Sequence, residues 1–226
     1  MTGAPEPVGT LEVALHHAGT LLSSEPALAA EQALAILEAV PNHPLALLYL
    51  GIAQRLLGNI DGALATLEPL AEAQPGWAPA QYELGVTLGV ARRGEEAVAA
   101  LRRAVRLKND IGDAWRLLGD HLSATDDREG ADAAYANHIK ASTRDPRLLA
   151  PAAALCENRI PEAETLLRAH LQGNPTDVAA LRMLAEVAAR LGRYGDAETL
   201  LAHCLELAPG FAAARHNYAV VLHRQN

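Results

Sequence analysis

Aromatic residues make up only 4% of the 226 positions, with a single Phe among them. A β-sandwich or barrel relies on aromatic and β-branched side chains to cover its pleated faces, so this scarcity argues against a β-rich fold. Cysteine is equally sparse, and two residues do not frame a disulfide-stapled domain. Lysine occurs only at Lys108 and Lys140, and the 19 basic residues are outnumbered by 27 acidic ones. The net charge of -8 repels a phosphate backbone and speaks against nucleic acid as a partner. No stretch of about 18 uninterrupted apolar residues occurs, so no membrane span is expected. The opening MTGAPEPVGT lacks the basic and apolar regions of a secretory signal, and a soluble cytoplasmic protein is the expectation.

What is present is apolar and helix-forming. Half of the residues are hydrophobic, and Ala and Leu, both good helix formers, dominate them. They recur with a fixed period. Leu50-Gly51, Leu84-Gly85 and Leu118-Gly119 are 34 residues apart, and Ala63, Ala97, Ala131, Ala163 and Ala197 follow at spacings of 34, 34, 32 and 34. Pro41, Pro75, Pro175 and Pro209 close several units, as proline stops a helix before the next begins. Gly at position 8 of the period and Ala at position 20 let two helices approach closely, and larger residues such as Leu47, Leu50 and Leu67 fill the space between them. Gly58 and Gly192 fall where a helix C-terminus favours a left-handed residue.

A helix–turn–helix period with these markers resembles the tetratricopeptide repeat. The resemblance implies an all-α, right-handed α-solenoid of about thirteen helices. The register divides the chain into a degenerate cap (10–43), units 44–77, 78–111 and 112–145, a short irregular unit (146–177), unit 178–211, and the first helix of a further repeat (212–226). Residues 1–9 are expected to be disordered. In the cap, His16-His17 replace the Leu-Gly pair. In the short unit, Pro146 and Pro151 predict a brief, irregular first helix, followed by a regular one from Pro161. The chain ends after one helix of its last unit, so it reads as a piece of something longer. Tyr218, Val221 and Leu222 on that helix then predict an exposed apolar face and self-association.

The stretches RHNYAVVLHRQN and LAEVAARLGRYGDAETLLAHCLELAPGF are similar to the N-terminal repeat region of bacterial tetratricopeptide-repeat sulfotransferases. That similarity implies an array placed ahead of a domain that uses 3′-phosphoadenylyl sulfate.

Residues with chemistry of their own are few. His138, His170 and Cys204 share position 27 of their units, but rungs about 10 Å apart are too distant for a shared tetrahedral metal. Cys156 has no CxxC partner. Ser23, Ser24, Ser123 and Ser142, with Glu95-Glu96 and Asp126-Asp127, fall at helix ends and read as caps. No glycine loop joins a strand to a helix, so no phosphate site, cofactor or catalytic residue is expected.

The expected functional surface is the concave groove lined by the first helix of each unit. Its positions 2, 5, 9 and 12 carry Leu45, Leu48, Ile52, Arg55, Tyr82 and Val86 in the N-terminal half. In the C-terminal half they carry Asp113, Arg116, Asp120, Arg182, Glu186, His216 and His223, flanked by Arg190, Asn217 and Arg224. The apolar half suits a peptide segment or helix of a partner protein, and the charged half suits selection of one end of it. Leu48-Tyr49 and Tyr82-Glu83 replace the basic clamp with which some family members grip a chaperone C-terminus.

Overall fold

The computed structural model describes residues 10–225, so the disorder expected of residues 1–9 lies outside the described residues. Among the described residues there are thirteen α-helices and no strand. They divide into two compact units, Met1–Asn109 and Asp110–Asn226.

The first unit stacks α1 (Leu11–Leu21), α2 (Pro26–Ala39), α3 (Pro44–Leu56), α4 (Ile60–Ala73), α5 (Ala78–Val90) and α6 (Gly94–Leu107). The second holds α7 (Gly112–Ala124), α8 (Arg128–Ser142), a 3-10 turn (Pro146–Leu148), α9 (Leu149–Cys156), α10 (Ile160–Gly173), α11 (Val178–Arg190), α12 (Tyr194–Leu207) and α13 (Ala212–Gln225).

Helix starts are chemically marked. Asn59 Oδ1 accepts the Gly62 N–H at 3.0 Å, Asp127 Oδ1 accepts that of Gly130 at 2.9 Å, and Asp177 Oδ1 accepts those of Ala179 and Ala180. Each satisfies first-turn donors that a helix leaves open. Other residues read as caps do different work. Asp126 sits in the turn with φ +62°, and Glu96 lies inside the first turn of α6, bonded by Arg93. Ser23 and Ser142 donate to carbonyls at helix C-termini, because a hydroxyl there meets acceptors rather than open N–H groups.

The register explains the packing within each pair. A Cβ on Gly51 would lie 2.5 Å from Leu67 Cγ, one on Gly85 2.8 Å from Leu101 Cγ, and one on Gly119 2.5 Å from Tyr135 Cε1. Ala63, Ala97, Ala131, Ala163 and Ala197 are fully buried. The residue that turns the chain between paired helices recurs with the same period: Gly58, Arg92, Asp126, Asn158 and Gly192 all have positive φ.

The short unit forms the 3-10 turn and the eight-residue α9. Helix α9 starts at Leu149, so Pro151 falls in its first turn, where a missing N–H removes no helical bond. Pro161 occupies the same kind of place in α10.

The apolar outer face expected of α13 is absent. Ala212, Arg215, Ala219, His223 and Gln225 are its exposed residues, while Val221 is buried and Tyr218 half-buried. Tyr218 packs inward and its hydroxyl donates to Glu198 at 3.3 Å. The premise for self-association through this helix is therefore not met. At the other end of the chain, α1 exposes Leu11 and Val13.

Candidate functional site

The expected groove residues fall into two different environments. In the first unit, α3 and α5 carry the apolar set. Leu45, Ile52, Tyr82 and Val86 are half-buried, whereas Leu48 is buried and belongs to the core. Arg55 Nη2 donates to Glu83 Oε2 at 2.7 Å, tying α3 to α5, with both side chains mostly covered. Burial pushes the Glu83 carboxyl pKa up, against the opposing pull of Arg55. Sequence reading singled out Arg55 but not its partner. Glu83 occupies position 6 of its unit, one step outside the projected groove positions.

The second unit departs from the open groove that was expected. Residues 180–189 of α11 are all buried, including Arg182 and Glu186, which were projected toward solvent. Asn217 is buried as well. The covering comes from α13. Its His216 Nε2 lies 2.9 Å from Asp120 Oδ1 of α7, and its Arg224 donates to Asp132 Oδ1 of α8 at 2.8 Å. The His216 approach is an electrostatic contact without hydrogen-bond alignment. Tyr135 donates to the same Asp120 oxygen at 3.0 Å, and its ring lies 5.8 Å from that of His216. Burial, reinforced by Asp120, pushes the Tyr135 phenol pKa up, so it stays a donor.

Three further groove residues join this network. Arg116 reaches Asp120 at 3.1 Å and Asp113 at 3.7 Å. Arg190 bonds Glu186 at 3.0 Å, the Leu155 carbonyl at 3.1 Å, and the Asp132 carbonyl. Only His223, of those projected on α13, is exposed.

The physical reason lies in α9. Eight helical residues span about 12 Å, against about 20 Å for the thirteen of α7 or α11. A solenoid repeat ordinarily touches only its neighbours. Here the last helix reaches a helix pair three repeats earlier, at Asp120 and Asp132.

The residues at position 27 each have a separate partner. His138 Nδ1 is 2.9 Å from the Gly112 carbonyl, Cys204 Sγ is 3.3 Å from the Val178 carbonyl, and His170 Nε2 is 2.8 Å from Asp177 Oδ2. Cys156 Sγ meets the Ala136 carbonyl at 3.3 Å. Burial pushes both thiols' pKa values up, away from the reactive thiolate. Among the described residues no three His, Cys, Asp or Glu side chains gather as a metal site would require. No helix among them is long and apolar enough to cross a membrane.

Antiparallel helix pairs stacked through a repeated small-against-large contact define an α-helical repeat protein of the solenoid class. Two tetratricopeptide-repeat family models match the chain, over residues 154–216 and 23–77, together just over half of it. The chain belongs to the tetratricopeptide-repeat family.

Solved structures agree on the fold. A thermophilic tetratricopeptide-repeat protein of Thermus thermophilus is 20% identical, with a TM-score of 0.57 over 95% of this chain and 100% of that one. MamA of Desulfovibrio magneticus is 17% identical, with a TM-score of 0.54 over 90% and 98%. YrrB, described as a tetratricopeptide-repeat protein with an unusual peptide-binding site, is 19% identical, with a TM-score of 0.52 over 83% and 97%. None of the curated proteins matches this chain. Tetratricopeptide-repeat proteins generally mediate protein–protein interaction.

Proposed function

We propose that the chain is a non-catalytic interaction scaffold that binds an apolar peptide segment of a partner protein along α3 and α5. The observation that carries this reading is the half-buried row of Leu45, Ile52 and Val86 beside the Arg55–Glu83 pair. Such a row offers apolar area to side chains and one charged pair to fix a peptide's direction. The second unit supports the choice of the first, since its own α13 occupies the corresponding face. A peptide-binding site in YrrB is consistent with the reading. The alternative, an arm positioning substrates for a sulfotransferase domain, draws no support from the geometry of the repeats.

The test is selection from a displayed peptide library on the intact chain, followed by affinity measurement on the Ile52→Asp/Val86→Asp double variant. The selected peptides should bind at least about tenfold more weakly to the variant, with helicity by circular dichroism unchanged. Equal binding to both chains contradicts the reading.

A further inference from the structure

Residues 10–54 hold four glutamates, Glu12, Glu25, Glu31 and Glu38, and no Asp, Lys or Arg. The first cation along the chain, Arg55, is committed to Glu83 at 2.7 Å. Helices α1 and α2 therefore carry a field of one sign that no fixed cation on either helix offsets. Exposed apolar side chains accompany that charge. Leu11 and Val13 of α1, with Ala35 and Val40 from α2 and its C-terminus, are exposed; together with Ile36 they line a cavity of about 530 Å³ between the two helices. No Asp, Glu, Lys or Arg lines it, and its polar lining is Gln32 and His17. An exposed apolar patch of this kind, bordered by polar residues, marks a contact site.

The repeat itself shows what shape fits there. Val13 is position 4 of its unit, and the same position in unit 78–111 is Gln81. Gln81 is 2% exposed because α4 lies against α5 at that point, and its amide donates to the Ala71 carbonyl at 2.9 Å. Val13 is 59% exposed, and among the described residues no helix covers it. The α1–α2 face thus has the form of a seat for a helix. Glu31 and Glu38 are exposed on α2, one row outside Gln32, Ala35 and Ala39. Seven positions apart, they share a face and place two carboxylates about 10 Å apart along one edge of the seat.

We propose that the α1–α2 face docks an amphipathic helix of a partner protein, apolar along one stripe and carrying Lys or Arg on the edge that meets Glu31 and Glu38. Apolar side chains of that helix enter between Val13 and Ala35 and supply the affinity. The two glutamates select a basic helix and set which of its edges lies over α2. A symmetric pair of copies would bring the same glutamates together, so the occupant is a different protein. The site is separate from the α3–α5 row and does not rest on it.

The probe is a fluorescein-labelled, amidated peptide of 14 residues, the length of α4, built from Leu, Ala and Lys with a single Leu stripe edged by Lys. Its binding to the full chain is followed by anisotropy, with light scattering on the chain alone. The probe should saturate and bind at least about tenfold more tightly than its Glu-for-Lys counterpart or a scramble without the stripe. Glu31→Lys/Glu38→Lys should weaken it at least about tenfold, and the uncharged Val13→Gln/Ala35→Gln at least about fivefold, with helicity unchanged. Glu129→Lys/Glu206→Lys makes the same change of charge at exposed sites of the second unit. That variant, and Ile52→Asp/Val86→Asp in the α3–α5 row, should bind the probe no more than about twofold more weakly than the unaltered chain. Absence of saturation, equal affinity for the scramble or the acidic peptide, or unchanged affinity in either α1–α2 variant overturns the proposal. So does a larger loss of binding in the second-unit or α3–α5 variant, or association of the chain with itself that Val13→Gln/Ala35→Gln abolishes.

Discussion

Gly58, Arg92, Asp126, Asn158 and Gly192 share one left-handed turn position, and only the first and last are the residue best suited to it. A side chain with a Cβ in this conformation is strained by about 1–2 kcal/mol, less for Asn and Asp. Glycine relieves the strain but loses more freedom on folding, by about 0.5–1 kcal/mol. Arg92→Gly should therefore stabilise the chain by about 0.5–1 kcal/mol, Asp126→Gly by less, and Asn158→Gly least. Chemical denaturation of the three variants checks the order. Sequence reading found the two glycines and missed the other three, because the position is fixed by repeat geometry and not by residue type. His138 provides a second test at this scale. Burial, and then the Arg182 charge, push its pKa below the ordinary 6.5; Arg116 acts the same way, while Asp113 and the Gly112 carbonyl oppose them. The unfolded chain thus takes up a proton that the folded chain refuses, and stability is lost as pH falls below about 6.5. His138→Gln should flatten that part of the stability–pH curve. A curve equally steep in the variant would assign the loss to other groups.

At the scale of elements, the pairing of small and large residues across each helix pair was legible because it repeats. Gly51 against Leu67, Gly85 against Leu101 and Gly119 against Tyr135 are one contact written three times. Ala63, Ala97 and Ala197 are fully buried at the neighbouring point. Replacement of any of them by Leu should destabilise the chain by about 1–3 kcal/mol through overpacking. Unchanged melting temperatures for all three variants would refute the register. The enclosure of α11 was also open to reading from its own sequence. Between Ala180 and Ala189 only Arg182 and Glu186 are polar, so this helix has no face suited to water. Projecting family groove positions onto it obscured that signal.

At the scale of the whole molecule, the fold class follows from a period of 34 residues that no other architecture shares with these markers. The fate of the C-terminal groove residues was not legible. Asp120 and His216 are 96 positions apart, and their meeting depends on how the eight-residue α9 alters the stacking of the unit. No local pattern encodes such a contact. It arises from the packing of several elements at once, which also decides which residues remain available to a partner. The claim that α13 closes over its own unit rests most directly on Arg224 and Asp132, whose side chains meet at 2.8 Å while being 13% and 26% exposed. A double-mutant cycle with Arg224→Ala, Asp132→Ala and the pair, read by chemical denaturation, measures that contact. Residues in direct contact couple by about 0.5–3 kcal/mol. The account predicts a coupling of about 1 kcal/mol, and strictly additive single effects would contradict it.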